Sequence, residues 1–219
     1  MKKKLLATLA TATVSCLFVS SGNSQTATPI VPAVKKTIVF LGDSLSAGLG
    51  VQREETFPAL IGKKIRALGL PFEIINAGES GDTTADGLRR IEWLLRQKID
   101  ILVIELGAND GLRGLPAATM KANLEATIAK AKAANPSVKI VIAGMQLPPN
   151  LGADYANAFQ QTFSQVAQET KSTLIPFLLE GVGGHRDLNQ PDQIHPTARG
   201  HAVAAETVWK TLEPLLREP

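Results

Sequence analysis

The sequence predicts an α/β fold: a three-layer α/β/α sandwich built on one five-stranded parallel sheet. Three observations carry this. Short apolar, β-branched runs alternate with stretches of helical periodicity, five times over. The runs are nearly unbroken in apolar residues, which suits strands covered on both faces. The glycine-rich polar segments follow the runs, at the end where an open parallel sheet binds its ligands.

The strand candidates are residues 37–41, 72–75, 101–106, 138–143 and 173–175. The first helical pattern, 58–68, places Leu60, Ile61, Ile65 and Leu68 at helical spacing, with Gly69 as a stop. The second, 84–97, repeats the pattern with Leu88, Ile91, Leu94 and Leu95. A third runs over 116–134 and ends before Asn135-Pro136. A fourth, 155–170, carries Phe159, Phe163, Val166 and Ala167. The last, 196–216, opens with Pro196 in a first turn, and Pro214 is expected to fray or end it. Trp93 and Trp209 fall on apolar helix faces and read as core.

The amino terminus has a different character. Lys2, Lys3 and Lys4 precede a short apolar run over 5–19, and the small residues of 20–24 suit cleavage. This pattern is a secretory signal peptide, too short to span a membrane. It predicts a periplasmic or secreted protein without a stable membrane anchor. A lipid anchor on Cys16 is disfavoured, because Leu17, Phe18 and Val19 continue the apolar run past it. Residues 25–35 read as an extended lead-in. The whole chain has 23 basic and 20 acidic residues, and the excess equals the three lysines of the signal. The mature chain is therefore neutral, which excludes a basic nucleic-acid-binding surface as the source of the high isoelectric point. Cys16, the only cysteine, leaves with the signal, so a hydrophobic core must hold the fold. About 190 residues suffice for one such core.

Four polar segments mark the expected ligand end. Gly42-Asp-Ser-Leu45 follows the first strand, and Ser80-Gly-Asp-Thr83 lies after the second. Gly107-Ala-Asn-Asp110 follows the third, and Asp192-Gln-Ile-His195 comes after the fifth. Acyl transfer needs a nucleophile, a base, a group that orients the base, and donors for an oxyanion. Ser44 supplies a hydroxyl on a strand-to-helix turn, His195 a base and Asp192 its orienting carboxylate. The backbone N–H of Ser44 and Gly81 and the side-chain amide of Asn109 supply oxyanion donors. Asp43, Asp82 and Asp110 read as braces of these loops. His185 reads as a loop residue, His201 as structural or surface, and Arg113 as solvent-facing. No His, Cys and carboxylate cluster has metal-ligand spacing, and no cofactor is expected.

These four segments resemble those that define the SGNH hydrolases, in the same order and across residues 36–219. Glu105-Leu-Gly-Ala-Asn-Asp-Gly-Leu-Arg-Gly114 and Leu147-Pro-Pro-Asn-Leu-Gly152 resemble the branch of bacterial thioesterases, lysophospholipases and arylesterases. The resemblance implies a flavodoxin-like strand order 2-1-3-4-5 and a metal-free serine hydrolase. The nucleophile turn departs from the α/β-hydrolase elbow, since Ser46 stands where that elbow has glycine. Leucine, methionine and proline in 111–116 and 145–151 favour an acyl or aryl group in the cleft, with Leu112, Leu147 and Pro148 as contacts. The expected partner is a small acyl ester or thioester, met by a monomer. Two rivals are a carbohydrate O-acetylesterase of the same fold and a flavin- or nucleotide-binding module cradling phosphate on the 42–48 turn.

Overall fold

Lys36–Gly42 forms β1 because its centre, Ile38-Val-Phe-Leu41, is entirely buried and β-branched or bulky. The computed structural model describes residues 35–217; the signal segment, Cys16 and nearly all of the expected lead-in lie outside them. The chain then alternates. Ser44–Ala47 is a short helix, α1, and Phe57–Ala67 is α2. Phe72–Gly78 is β2, Thr84–Leu94 α3 and Ile101–Glu105 β3. Ala108–Leu112 is α4, Ala117–Ala134 α5 and Lys139–Ala143 β4. Ala153–Thr170 is α6, Thr173–Ile175 β5 and Ala198–Arg217 α7.

The five strands form one parallel sheet in the order β2-β1-β3-β4-β5. Helices cover both sides of it: α2 packs with α7, and α3, α5 and α6 pack in series. Strand register sets where the loops emerge. Gly42 at the end of β1 lies level with Gly78 of β2 and Glu105 of β3, so three loops leave the sheet side by side. Burial on both faces holds for β1, β3 and most of β4. The edge strand β2 is only half buried, which fits its position rather than its composition.

Several boundaries differ from those the sequence predicts. Helix α3 stops at Leu94, not 97, because the chain turns there to bring Ile99 into the core. Trp93 is not core: it is 66% exposed, while Ile91 and Leu94 face inward. Two helical positions after Ile91, it lies about 200° around the axis. Helix α7 begins at Ala198, not Pro196. Pro196 instead pairs with Asn189 in an antiparallel bridge. Thr197 then accepts from the Gly200 N–H, as a capping residue does. Pro214 does not end α7, which continues to Arg217 with Leu212 and Leu216 buried. That packing offsets the one backbone bond that proline forfeits. The imidazole of His201 on α7 is buried and stacked on Phe57. Its Nδ1 accepts from the Phe57 N–H at 3.3 Å, and its Nε2 has no partner among the described residues.

Candidate active site

The turn that carries Ser44 is built by capping. Asp43 caps α1, its carboxylate accepting from the Leu45 N–H at 3.0 Å. Ser44 is therefore the first residue of the helix, where its own N–H has no intrahelical acceptor. Across the cleft, Asp192 folds its loop back on itself. One carboxylate oxygen accepts from the N–H groups of Ile194 and His195, at 2.9 and 3.0 Å. The other lies 2.7 Å from His195 Nδ1, and His195 Nε2 lies 2.9 Å from Ser44 Oγ. A carboxylate only accepts, so Nδ1 carries the proton and Nε2 faces the hydroxyl as an acceptor. Burial works against ionisation of Asp192, but the bonds from His195 and Ile194 prevail and hold its carboxyl down at about 2. The Asp192–His195 segment is a turn ahead of α7. Gln190 secures it. Its N–H donates to the His195 carbonyl and its side-chain amide to the carbonyls of Leu49 and Pro196.

The residues expected to supply the other oxyanion donors lie on two other loops, after β2 and after β3. Gly81 adopts φ +90°, a left-handed conformation that favours glycine. Arg113 donates to the Gly81 carbonyl at 2.8 Å, so this exposed arginine is tied to the loop. Asn109 lies in α4, and its amide nitrogen donates to Asp43 and to the Asp82 carbonyl, both at 3.0 Å. Arg90 joins the second loop to the first: it pairs with Asp82 at 2.6 Å and donates to the Gly42 carbonyl at 2.8 Å. Asp110 accepts from both the N–H and hydroxyl of Thr84. The three aspartates thus brace the loops as expected. Burial raises Asp43 to about 6, against the opposing pull of the Leu45 N–H, His195 and Asn109.

Beside Ser44 and His195 opens a cavity of about 410 Å³. Ser44, Asn109 and His195 line it, and so do Leu112, Leu147 and Pro148. Gly81 stays outside its wall. Of the two stretches expected to border the cleft, only Leu112 and residues 145–148 do so. Phe177, Leu179, Gly183 and Gly184 join the lining without a sequence signal, because they converge only through the path from β5 to α7. Arg90 is equally silent, as one of several cations on an amphipathic helix. Glu105 does carry a signal: it is the one charged residue inside the apolar run of 101–106. Among the described residues, no group of three or more His, Cys, Asp or Glu could hold a metal ion.

Comparison with known proteins agrees with this geometry. Residues 40–203 match the model of the GDSL-like lipase/acylhydrolase family. The chain is 43% identical over 185 residues to esterase TesA of Pseudomonas aeruginosa, covering 84% of this chain and 91% of that protein. It is 35% identical to thioesterase 1/protease 1/lysophospholipase L1 of Escherichia coli, covering 84% of this chain and 86% of that one. The crystal structure of the psychrotrophic esterase EstA from Pseudoalteromonas, inhibited by monoethylphosphonate, superposes with a TM-score of 0.79 at 35% identity. That match covers 84% of this chain and all of the other. With the family model spanning the domain from β1 into α7, and the strand order and four polar loops in agreement, the chain belongs to the GDSL-like lipase/acylhydrolase family.

Proposed function

We propose that the protein is a serine esterase that hydrolyses carboxylic esters, and acyl thioesters, through an acyl-enzyme on Ser44. The observation that carries this is the continuous Ser44–His195–Asp192 chain of short contacts opening on an apolar cavity. Ser44 Oγ attacks the acyl carbonyl as His195 Nε2 takes its proton. The N–H groups of Ser44 and Gly81 and the amide of Asn109 stabilise the resulting oxyanion. For this, Asn109 turns one N–H from the Asp82 carbonyl toward the substrate and keeps the other on Asp43. His195 then returns the proton to the departing alcohol or thiol. Water, activated by the same imidazole, releases the acid and restores Ser44. Asp192 stabilises the imidazolium in both half-reactions.

The acyl group is lipid-like or aryl, since the cavity wall is dominated by Leu112, Met145, Leu147, Phe177, Leu179 and Ile194. The relatives named esterase and thioesterase/lysophospholipase support this substrate range. The basic start and apolar run of residues 1–24 support action in the periplasm or outside the cell. A serine-directed alkyl phosphonate tests the reading. It should label one residue, Ser44, and abolish activity. Label elsewhere, or full activity in Ser44→Ala, would refute it. Exclusive hydrolysis of acetylated sugars would favour the O-acetylesterase alternative.

A further inference from the structure

The nucleophile turn rests on a charged residue that the proposed reaction does not use. Glu105, the last residue of β3, has no solvent exposure. Its Oε2 accepts from the Ser46 hydroxyl at 2.7 Å, the Ser46 N–H at 3.1 Å and the Asp43 N–H at 3.3 Å. Those donors stand on either side of Ser44, one residue before it and two after. The approach is possible only because Gly42 has no side chain. A Cβ there would lie 2.6 Å from Glu105 Oε2 and 2.1 Å from Ser46 Oγ. On its other side, the Ser46 carbonyl accepts from the Asn76 amide at 2.6 Å. The position two residues after the nucleophile, glycine in the α/β-hydrolase elbow, is thus a serine whose hydroxyl is bonded inward.

The group is an expensive choice for a core. Its Oε1 has no partner among the described residues. Burial, and then the nearby Asp43, push its carboxyl well above the usual carboxylate range. Replacing a buried charge together with its partners is often neutral or stabilising, whereas removing this carboxyl alone would leave three buried donors of the turn unpaired. The carboxyl is therefore tied to the turn that carries Ser44.

We infer that Glu105 is a positioning residue for the nucleophile, holding Ser44 at its contact with His195 through Ser46 and the Asp43 N–H. Gly42, Ser46 and Glu105 form one device, in which a strand-end carboxyl replaces glycine packing as the support of the turn. This rests on Ser44 being the nucleophile. The two claims separate cleanly: an active Ser44→Ala removes both, whereas an inactive Ser44→Ala with an unaffected Glu105→Met removes only this one.

The test compares Glu105→Gln, Glu105→Met, Ser46→Ala and the Ser46→Ala/Glu105→Met double variant. Readouts are kcat, KM, the rate of phosphonate labelling at Ser44 and the thermal midpoint. Glu105→Met removes the acceptor and should lower kcat and the labelling rate together by about 10²-fold, as a displaced reacting group does. KM should change little, while the midpoint falls, because three buried donors lose their acceptor. Glu105→Gln keeps an oxygen for the same donors and should recover all but about five-fold of the rate. The double variant should be no slower than Glu105→Met alone, since both changes cut one network. Unchanged kcat and labelling in Glu105→Met would overturn the inference, as would additive losses in the double variant. If Glu105→Met does not fold, Ser46→Ala decides. A loss of about five-fold in both rates at constant KM supports the device, and wild-type rates overturn it.

Discussion

Acidification should strip a defined amount of stability from this fold through His201. Burial under Phe57 is the largest cause, with Glu55 opposing it and the charge of His195 adding to it. Together they bring this imidazole down from its ordinary 6.5 to about 4. The folded state therefore binds this proton less readily than the unfolded state does. Stability from the neutral ring is present above the unfolded value and is lost as pH falls from there toward the folded one. Between about pH 7.5 and about pH 4.5 the two values give a loss of about 2–3 kcal/mol. Asp43 titrates with the opposite sign, since burial raises it to about 6, so total stability alone will not isolate the effect. The His201→Asn variant will. Its side-chain oxygen can still accept from the Phe57 N–H, which bonds His201 Nδ1 in the native protein. Urea unfolding of both proteins at the two pH values gives the contrast. The wild-type curve should drop by about 2–3 kcal/mol relative to the variant, whatever their offset at neutral pH. Parallel curves would refute the reasoning and mean that His201 gains a proton in the fold without penalty.

Asn109→Ala should lower turnover by about 10²-fold or more with little change in KM, measured by steady-state ester hydrolysis, because its amide acts on the oxyanion. A rise in KM alone would reassign it to substrate binding. Arg90→Gln should cost about ten-fold in kcat by loosening the Gly81 loop from β1. Affinity for a boronic acid that mimics the tetrahedral intermediate should fall in parallel with it, and an unaffected affinity would remove that role. Specificity constants should rise from acetyl toward medium chains, each buried methylene adding up to about 0.8 kcal/mol. Leu147→Asn should flatten that rise while sparing acetyl turnover, and an unaltered chain-length profile would place the acyl group elsewhere.

Local pattern dictates what is legible in the sequence. The β-branched centre of β1 could only be a buried strand, and glycine, serine and aspartate at its end could only be a tight turn. The four polar loops are identifiable because each is a contiguous segment. Contacts between segments are not legible. Nothing local distinguishes Arg90 from Arg89, yet of the two only Arg90 bridges the loops after β1 and β2. Trp93 misleads because an apolar residue beside an apolar helix face counts toward it until the phase is fixed by packing. Pro196 misleads because a proline that opens a helix and one that closes a bridge follow the same local rule. The cavity lining of Phe177, Leu179 and Gly183 depends on how the long segment after β5 returns, which periodicity does not encode.

The Ser44–His195 contact closes a separation of 151 residues, from the end of β1 to the segment ahead of the last helix. Little in between can substitute for it. Parallel strands must each wait for a crossover, and closure of distant segments is slow relative to helix formation. The hydrolytic machinery is therefore the last thing this chain acquires. On refolding from denaturant, helical circular dichroism should return before ester hydrolysis, with activity gained only when α7 docks against α2. That order means the unfolded polypeptide carries a serine with no base, chemically silent until the segment ahead of α7 has arrived.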